Sequence, residues 1–349
     1  MKKFSALLVF CILIIHPFTF AGGSASDTLF VASWNLENLF DTVDDPGKID
    51  EEFLPGSRKD WTNERLDKKL SNLARVINAM NNNKGPDILG VCEVEHESLL
   101  KNMIKKYLQG KNYLVAYRES PDERGIDNGI LYNADKFKLL SMHADTVHLN
   151  DSDQTRLVLN ANLLLKESGD TLHVFENHWP SRYGGAEETE VNRDKAASVL
   201  RKRVNFYLAQ SKDAKIIIMG DFNDEPGNES LLKVLNAQPY DCDAHGSLQN
   251  LKNGDILLNT SYKDFQNGEG TYNYRNDWNM LDQIIISSTL IAGKLKYICN
   301  SFRIFKPDFL VEQSGKYKGY PFPTYGGNKY LGGYSDHFPV TAKFLITGY

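Results

Sequence analysis

The sequence predicts an α/β chain in which helices cover β-sheets in stacked layers. Three observations lead there. Short apolar runs recur along the chain and repeatedly begin or end in Asn, Glu, Asp or His. A few long stretches between them carry apolar residues at helical spacing. The composition, 41% hydrophobic and 24% charged over 349 residues, is globular and leaves ample length for a core. That length allows two domains, but no linker rich in Pro, Gly or Ser divides the middle and no internal repeat appears. One domain over residues 27–349 is the simpler expectation.

The elements follow in order. Thr28–Trp34 reads as a strand ending in Asn35-Leu36-Glu37-Asn38, and a polar loop runs from Asp41 to Asp60. Leu66, Leu70, Leu73, Ile77 and Met80 mark a helix, which Asn81–Pro86 stops. Asp87–Cys92 is a strand ending in Glu93-Val94-Glu95, followed by a helix over about Glu97–Leu108. Tyr113–Tyr117 and Gly129–Tyr132 are strands flanking the loop Arg118–Asp127. Three extended runs come next, Lys138–Leu149, Thr155–Leu165 and Thr171–Glu176, the last leading into Asn177-His178-Trp179-Pro180. A long helix spans about Glu188–Gln210. Lys215–Met219 is an apolar strand that delivers Gly220-Asp221-Phe222-Asn223-Asp224 before Pro226-Gly227 turns the chain. Leu281–Ile286 is a strand with Asp282 at its start, and Phe338–Ile346 is the last strand, preceded by Ser335-Asp336-His337.

The N-terminus reads as a targeting segment. Lys2 and Lys3 precede the apolar run Phe4–Ile15, and small residues follow at Ala21–Ser26. That is a signal peptide over residues 1–26, implying a secreted or periplasmic protein. About a dozen apolar residues are too few for a comfortable span, so an anchor is the lesser reading. Its loss removes two lysines and takes the net charge from −5 to −7. So acidic a chain has no global attraction for polyanions, and nucleic acid would need a local patch. The basic run Arg201-Lys202-Arg203 reads better as a solvated helix face than as that patch. Cys92, Cys242 and Cys299 remain, without zinc-ligand spacing. They form no disulfide framework but allow one bridge, and Cys92 sits in an apolar run as a core residue.

The polar groups at strand tips are Asn35, Glu93, His178, Asp221, Asn223, Asp282, Asp336 and His337. Four are acids. If they converge, two like charges about 4 Å apart repel by roughly 4 kcal/mol at an effective dielectric near 20. A hard divalent ion relieves this, and oxygen ligands without Cys favour Mg²⁺, Mn²⁺ or Ca²⁺ over zinc, Mg²⁺ being the expected ion. Histidines among the acids suit acid/base work near neutral pH. The set points to metal-assisted phosphoester hydrolysis.

Six stretches carry a resemblance: Trp34-Asn35, Val91-Cys92-Glu93-Val94, His178 after an apolar strand, Gly220-Asp221-Phe222-Asn223, Leu281-Asp282-Gln283-Ile284 and Ser335–Val340. Each is weak alone. In this order the chain resembles the endonuclease/exonuclease/phosphatase superfamily, the deoxyribonuclease I-like proteins. The resemblance implies a four-layer α/β sandwich, with two mixed β-sheets packed face to face and helices outside. It implies Glu93 as the principal metal ligand, with Asn35 beside it and Asp336 helping. Asn35 would also touch substrate. Asp221 and Asn223 would orient the attacking water and the phosphate, and His337, held by Asp282, would act on the scissile phosphate. His178 would serve on the leaving-group side, with Asp127 as a candidate partner. Arg156 resembles a phosphate-contacting arginine of the family. Arg124–Asp127, Asn177–Gly185 and Tyr330–Tyr334 resemble secreted bacterial members, usually labelled nucleases.

The expected protein is thus a secreted, monomeric, metal-dependent phosphodiesterase acting on nucleic acid. A sphingomyelinase-type phospholipase C, a small-molecule phosphatase and a non-catalytic binding protein on the same scaffold are the rivals. Other polar residues have plainer readings. Arg182 either clamps phosphate or caps a loop. Glu37 and Glu95 read as solvent-facing, and Asp224 as a turn residue, with Phe222 pointing into the core. His96, His143, His148, His173 and His245 read as ordinary surface or strand residues. Tyr320, Tyr325, Tyr330 and Tyr334 form either a stacking rim or a packed loop.

Overall fold

The structure, a computed structural model, describes residues 27–150, 153–243 and 256–347. The expected signal peptide and His245 lie outside the described residues. In chain order the strands are β1 (Asp27–Leu39), β2 (Ile88–Val94), β3 (Tyr113–Tyr117), β4 (Asp127–Asn133), β5 (Phe137–Asp145), β6 (Val158–Leu165), β7 (Thr171–His178) and β8 (Lys215–Asp221). Short strands follow: β9 (Ala237–Pro239), β10 (Leu257–Asn259), β11 (Tyr272–Tyr274) and β12 (Asp277–Asn279). The last are β13 (Asp282–Ser287), β14 (Leu295–Tyr297), β15 (Arg303–Ile304), β16 (Tyr325–Gly326), β17 (Lys329–Tyr330) and β18 (Val340–Ile346). The long helices are α1 (Asn63–Asn83), α2 (Glu97–Tyr107) and α3 (Glu190–Gln210).

Two seven-stranded sheets result. One runs β14-β18-β1-β2-β4-β3, with β15 also on β18; the other runs β5-β6-β7-β8-β13-β10-β9. Both are mixed: β1/β2 and β7/β8 are parallel, whereas β1/β18 and β8/β13 are antiparallel. The alternation of side chains along each strand sorts the layers. Leu29 and Val31 of β1, Ile217 and Met219 of β8, and Ile284 and Ile286 of β13 fill the space between the sheets. Phe30, Ala32 and Trp34 point the other way, onto Leu73 and Ile77 of α1 and Leu100 and Met103 of α2. Ile216 and Ile218 likewise pack outward on Leu200 and Val204 of α3. The order is helix, sheet, sheet, helix, as expected. A one-residue slip of β1 or β8 would exchange its two apolar sets, so register is strongly fixed.

The first helix is capped by Thr62, whose side chain accepts from Arg65 N, and its regular conformation ends at Met80. Asn81 and Asn82 take left-handed angles there, which asparagine tolerates better than most residues. The last strand begins two residues later than the apolar run because Phe338 N turns to Thr271 O and Pro339 has no donor. Cys242 and Cys299 form the one bridge the sequence allows, and Cys92 is a free, buried thiol. No helix among the described residues is long and apolar enough to cross a membrane.

Candidate active site

Strand register brings the polar tips together. On the second sheet, Asp221 is the β-partner of both His178 and Asp282. Gly220 makes the close approach possible. Its φ is +135°, and a Cβ there would lie 2.0 Å from Asn177 O. On the first sheet, Asn35 pairs with Cys92, just before Glu93. His337 arrives on the loop before β18, sewn to β1 by Trp34 Nε1 donating to His337 O (3.0 Å) and Ser335 Oγ to Asn35 O (2.7 Å).

Both first-sheet strands bulge at this edge. The β1 register shifts after Asn35 and the β2 register shifts around Glu93. Glu37, Asn38 and Glu93 all have φ between 52° and 60°. Such left-handed, non-glycine backbone costs free energy and concentrates at functional sites. Here the kink turns the Glu93 carboxylate toward the site. Asn38 N donates to its Oε2 (2.8 Å), and Asn35 Nδ2 lies 3.2 Å from its Oε1. The same Asn35 Nδ2 donates to Asp221 Oδ2 (3.0 Å), so one amide links the carboxylates of the two sheets.

The histidines flank Asp221. Nε2 of His178 and Nε2 of His337 each lie 3.9 Å from Asp221 Oδ2. His337 Nδ1 is 2.7 Å from Asp282 Oδ2, a buried dyad, and Tyr272 stacks on the His337 ring at 4.7 Å between centroids. Burial opposes charge on His337, but Asp282, Asp221 and Asp336 outweigh it and raise its pKa well above the usual value. His178 goes the other way. Burial first, then Arg156 and Arg124, push its pKa well down. Asn223, at φ +49°, donates its backbone N to Asp221 Oδ1 (2.9 Å) and its side-chain amide to Trp179 O (3.0 Å). Phe222 packs edge-on against Trp179 in the core, as expected.

The acid set fits a divalent cation. Burial and the neighbouring Asp282 push the Asp221 carboxyl up to about 6, against the opposing pull of His337. Burial, with Glu37 and Glu93 adding to it, pushes Asp336 to about 7. Asp282 Oδ1 is buried without a hydrogen bond among the described residues. Asp221, Asp282 and His337 offer ligand atoms all within 4.8 Å of one another. Glu93 keeps its carboxylate partly open, with 14% of its side chain exposed. Crowded oxygen donors without accessible thiolate suit a hard ion.

Several expectations need correction. Asp127 is not the partner of His178: its carboxylate accepts from Tyr117 OH (2.5 Å) and Ser120 N (2.6 Å). Strand alternation instead turns Asn128 toward the second sheet, where its Nδ2 donates to Leu157 O. Arg182 caps rather than clamps. Its guanidinium holds Asn223 O, Asn279 Oδ1, Asn228 Oδ1 and Asp224 Oδ1. Arg156 is 7% exposed, bound to Asp122 Oδ2 (3.0 Å) and Trp179 O (2.7 Å), not open to a phosphate. Asp224 is no simple turn residue; it is buried and pairs with Arg193 at 2.7 Å. Glu37 and Glu95 are buried as well. Glu37 accepts from Thr324 N and faces the buried Lys69, whereas Glu95 accepts from Asp41 N.

His96 is no bare surface residue: it stands between Asp45 and Glu119, beside Glu95. Tyr325 packs on Trp61, Tyr330 packs on Tyr325 and under Arg65, and Tyr334 is buried, so that segment is mainly a packed loop. Tyr272, stacked on His337, is an aromatic neighbour of the site that sequence reasoning missed. The Tyr272-Asn273-Tyr274 alternation before Asp282 was its signal.

A family model described as Endonuclease/Exonuclease/phosphatase family matches residues 30–345. The chain belongs to that family. It is therefore a phosphoester hydrolase of a metal-dependent class. Solved structures share the fold of this family member. An endonuclease/exonuclease/phosphatase family protein of Bacteroides thetaiotaomicron aligns with a TM-score of 0.57 and 16% identity, over 93% of this chain and 97% of that one. A mannosyl-6-phosphatase of the same organism aligns at 0.55 and 17%, over 90% and 99%. TDP2 of D. rerio, complexed with a single-strand DNA product, aligns at 0.55 and 16%, over 91% and 98%. A comparison with curated proteins gives no match.

Proposed function

We propose that the mature chain, residues 27–349 after a signal peptide over 1–26, is a monomeric phosphodiesterase that cleaves nucleic acid outside the cytoplasm. One observation carries the reading: two histidines of opposite electrostatic tendency stand 3.9 Å from one carboxylate oxygen. That arrangement suits in-line displacement, with one group on each side of the phosphorus. A divalent cation bound by Glu93, with Asn35 and Asp336 beside it and Mg²⁺ favoured, would neutralise the phosphate and act as Lewis acid. Asp221 then orients the attacking water and accepts its proton, held by Asn223 N and Asn35 Nδ2. His337, charged and fixed by Asp282, binds the developing negative charge on the phosphoryl oxygens. His178 faces the leaving group.

Two further observations support the substrate class and the location. Tyr274, about half exposed, shares a strand face with Tyr272, and Arg275 lies over its ring, a surface on which a base can stack. The Cys242–Cys299 bridge suits an oxidising compartment. The D. rerio TDP2 complex with a DNA product is in line with this reading, and the mannosyl-6-phosphatase marks the rival. The test is the purified mature protein with Mg²⁺, Mn²⁺ or Ca²⁺ against plasmid DNA, RNA, sphingomyelin, a sugar phosphate and a chromogenic phosphodiester. Cleavage of DNA or RNA, abolished by EDTA and restored by metal, is the expected result. Turnover of the sugar phosphate or sphingomyelin alone overturns the nuclease reading, and activity that survives chelation overturns the metal.

A further inference from the structure

Lys69 of α1 is 1% exposed, and a lysine is almost never fully buried unless it is paired. Its ammonium has three hydrogens and three acceptors: Glu37 O (3.2 Å), Thr324 Oγ1 (2.5 Å) and Tyr334 O (2.6 Å). The Glu37 carboxylate stands 3.6 Å away and is 7% exposed as a residue. It is occupied in turn, by Thr324 N on Oε2 (2.6 Å) and Tyr325 N on Oε1 (3.2 Å). The two charged groups thus tie together three segments: α1, the end of β1 and the chain from Thr324 to Tyr334.

Stability alone does not account for this pair. A well-packed apolar pair would hold α1 on β1 as well, because burying two charges seldom gains stability. An apolar pair could not, however, fix backbone groups, and these bonds fix backbone where the site depends on it. Glu37 is the first left-handed residue of the β1 kink. Its N donates to Asn35 Oδ1 (2.9 Å), which decides that the Nδ2 end of the Asn35 amide faces Glu93 and Asp221. The next residue, Asn38, donates its N to Glu93 Oε2. At the other end, Tyr334 precedes Ser335, whose Oγ donates to Asn35 O and accepts from His337 N (3.1 Å).

We propose that Lys69 and Glu37 are positioning residues for the metal centre. They lock the β1 kink to the loop that carries Asp336 and His337, and so hold Asn35 and Glu93 in the geometry that takes the cation. The effect on a cation rests on the metal reading above, whereas the bracing of the kink does not.

Two measurements on the substrate-free mature protein test this. The first needs no metal: hydrogen exchange of the Asn38 amide, read by NMR. It should accelerate at least about tenfold in Lys69→Met and in Glu37→Gln. An unchanged rate in either folded variant overturns the brace, whatever ion the site takes. The second is Mn²⁺ affinity by titration calorimetry. Both variants should bind about 10- to 100-fold more weakly, the size of effect of a partner behind a ligand. Charge alone predicts opposite signs: losing the lysine would tighten cation binding and losing the glutamate would weaken it. Binding by Lys69→Met that is unchanged or tighter therefore overturns the positioning role. If Lys69→Met does not fold, Glu37→Gln, which keeps the side-chain shape, decides, and an affinity within about threefold of wild type overturns it. Leu73→Ala, a cavity on the core face of the same helix, is the control and should change neither measurement. Equal changes there would mean that lost stability is being read, and the proposal falls. Undiminished Mn²⁺ binding by Glu93→Gln would overturn the metal reading instead, and the exchange rates would still decide the brace.

Discussion

The two flanks of Asp221 use the same ring for opposite ends. On the His337 flank the neighbours are acids: Asp282 at 2.7 Å, then Asp221 and Asp336, and the imidazole is held charged. On the His178 flank Arg156 and Arg124 add to burial, and the imidazole is held neutral. Both rings are nearly inaccessible and both stand 3.9 Å from the same oxygen. Burial alone therefore does not decide the state of a histidine; the sign of the second neighbour does. An asymmetric pair of this kind divides the labour of displacement at phosphorus, one side binding charge and the other serving the departing group.

The sharpest way to break the comparison is to remove each ring. His337→Ala should lower kcat about 10⁴-fold on a chromogenic phosphodiester, with an unchanged far-UV spectrum. Asp282→Asn keeps the shape and removes the charge, and a loss of about 10³-fold is expected. Activity within tenfold of wild type in either variant would sink the dyad. His178→Gln retains an N–H near the Nε2 position and should lose only about 10²-fold. Equal damage from His178→Gln and His337→Ala would mean the flanks are not distinct in the way their surroundings imply.

A second prediction concerns the brace behind the His178 flank. Asp224 takes Arg193 at 2.7 Å, Arg182 at 3.3 Å and Ser230 Oγ at 2.6 Å, and it is 1% exposed. Arg182 in turn holds Asn223 O. Removing one member of a buried ionic group strands the others, so Asp224→Ala should cost about 3 kcal/mol in chemical denaturation. A loss below about 1 kcal/mol would show that the network is solvated and that Arg182 is freer than its bonds indicate.

The contrast between the flanks also marks what the sequence could reveal. Asp221, Asp282 and His337 could be singled out because each stands at or beside the tip of an apolar strand, where a fold gains nothing from an ionisable group. The layers were legible from the alternation in β1 and β8. The partners were not. Asp224 and Glu37 look like loop acids because Arg193 and Lys69, which neutralise them, come from helices far away in the chain. Asn128 and Asp127 are adjacent and chemically similar, and only the strand's face decides that Asp127 turns to Ser120 N and Asn128 to Leu157 O. Arg156 has the type of a phosphate ligand, but its orientation is set by Asp122 and Trp179 O.

Glu176, on the same strand as His178, gives the smallest and most specific test. It is 0% exposed, between the sheets, with Ser33 Oγ at 3.1 Å. Gly90 leaves it room: a Cβ there would lie 1.7 Å from Glu176 Oε2. It shares a strand face with His178, two residues on. Burial, partly offset by the Ser33 bond and reinforced by Asp282 and Asp221, raises its pKa well above the ordinary 4.5. A carboxyl with a raised folded pKa contributes stability that is fully present below the unfolded value. That contribution declines above about pH 4.5 and is lost as pH approaches the folded pKa. Glu176→Gln removes this titration. The unfolding free energy of the wild type, relative to the variant, should therefore fall between pH 5 and 8, by at most about 1.4 kcal/mol per pH unit. The slope carries the test and the level does not, since the glutamine brings an extra donor that needs a partner. Parallel pH profiles would mean that Glu176 is ionised in the folded protein. The neutral flank around His178 would then stand over a negative charge, and the asymmetry of the two histidines would rest on the arginines alone.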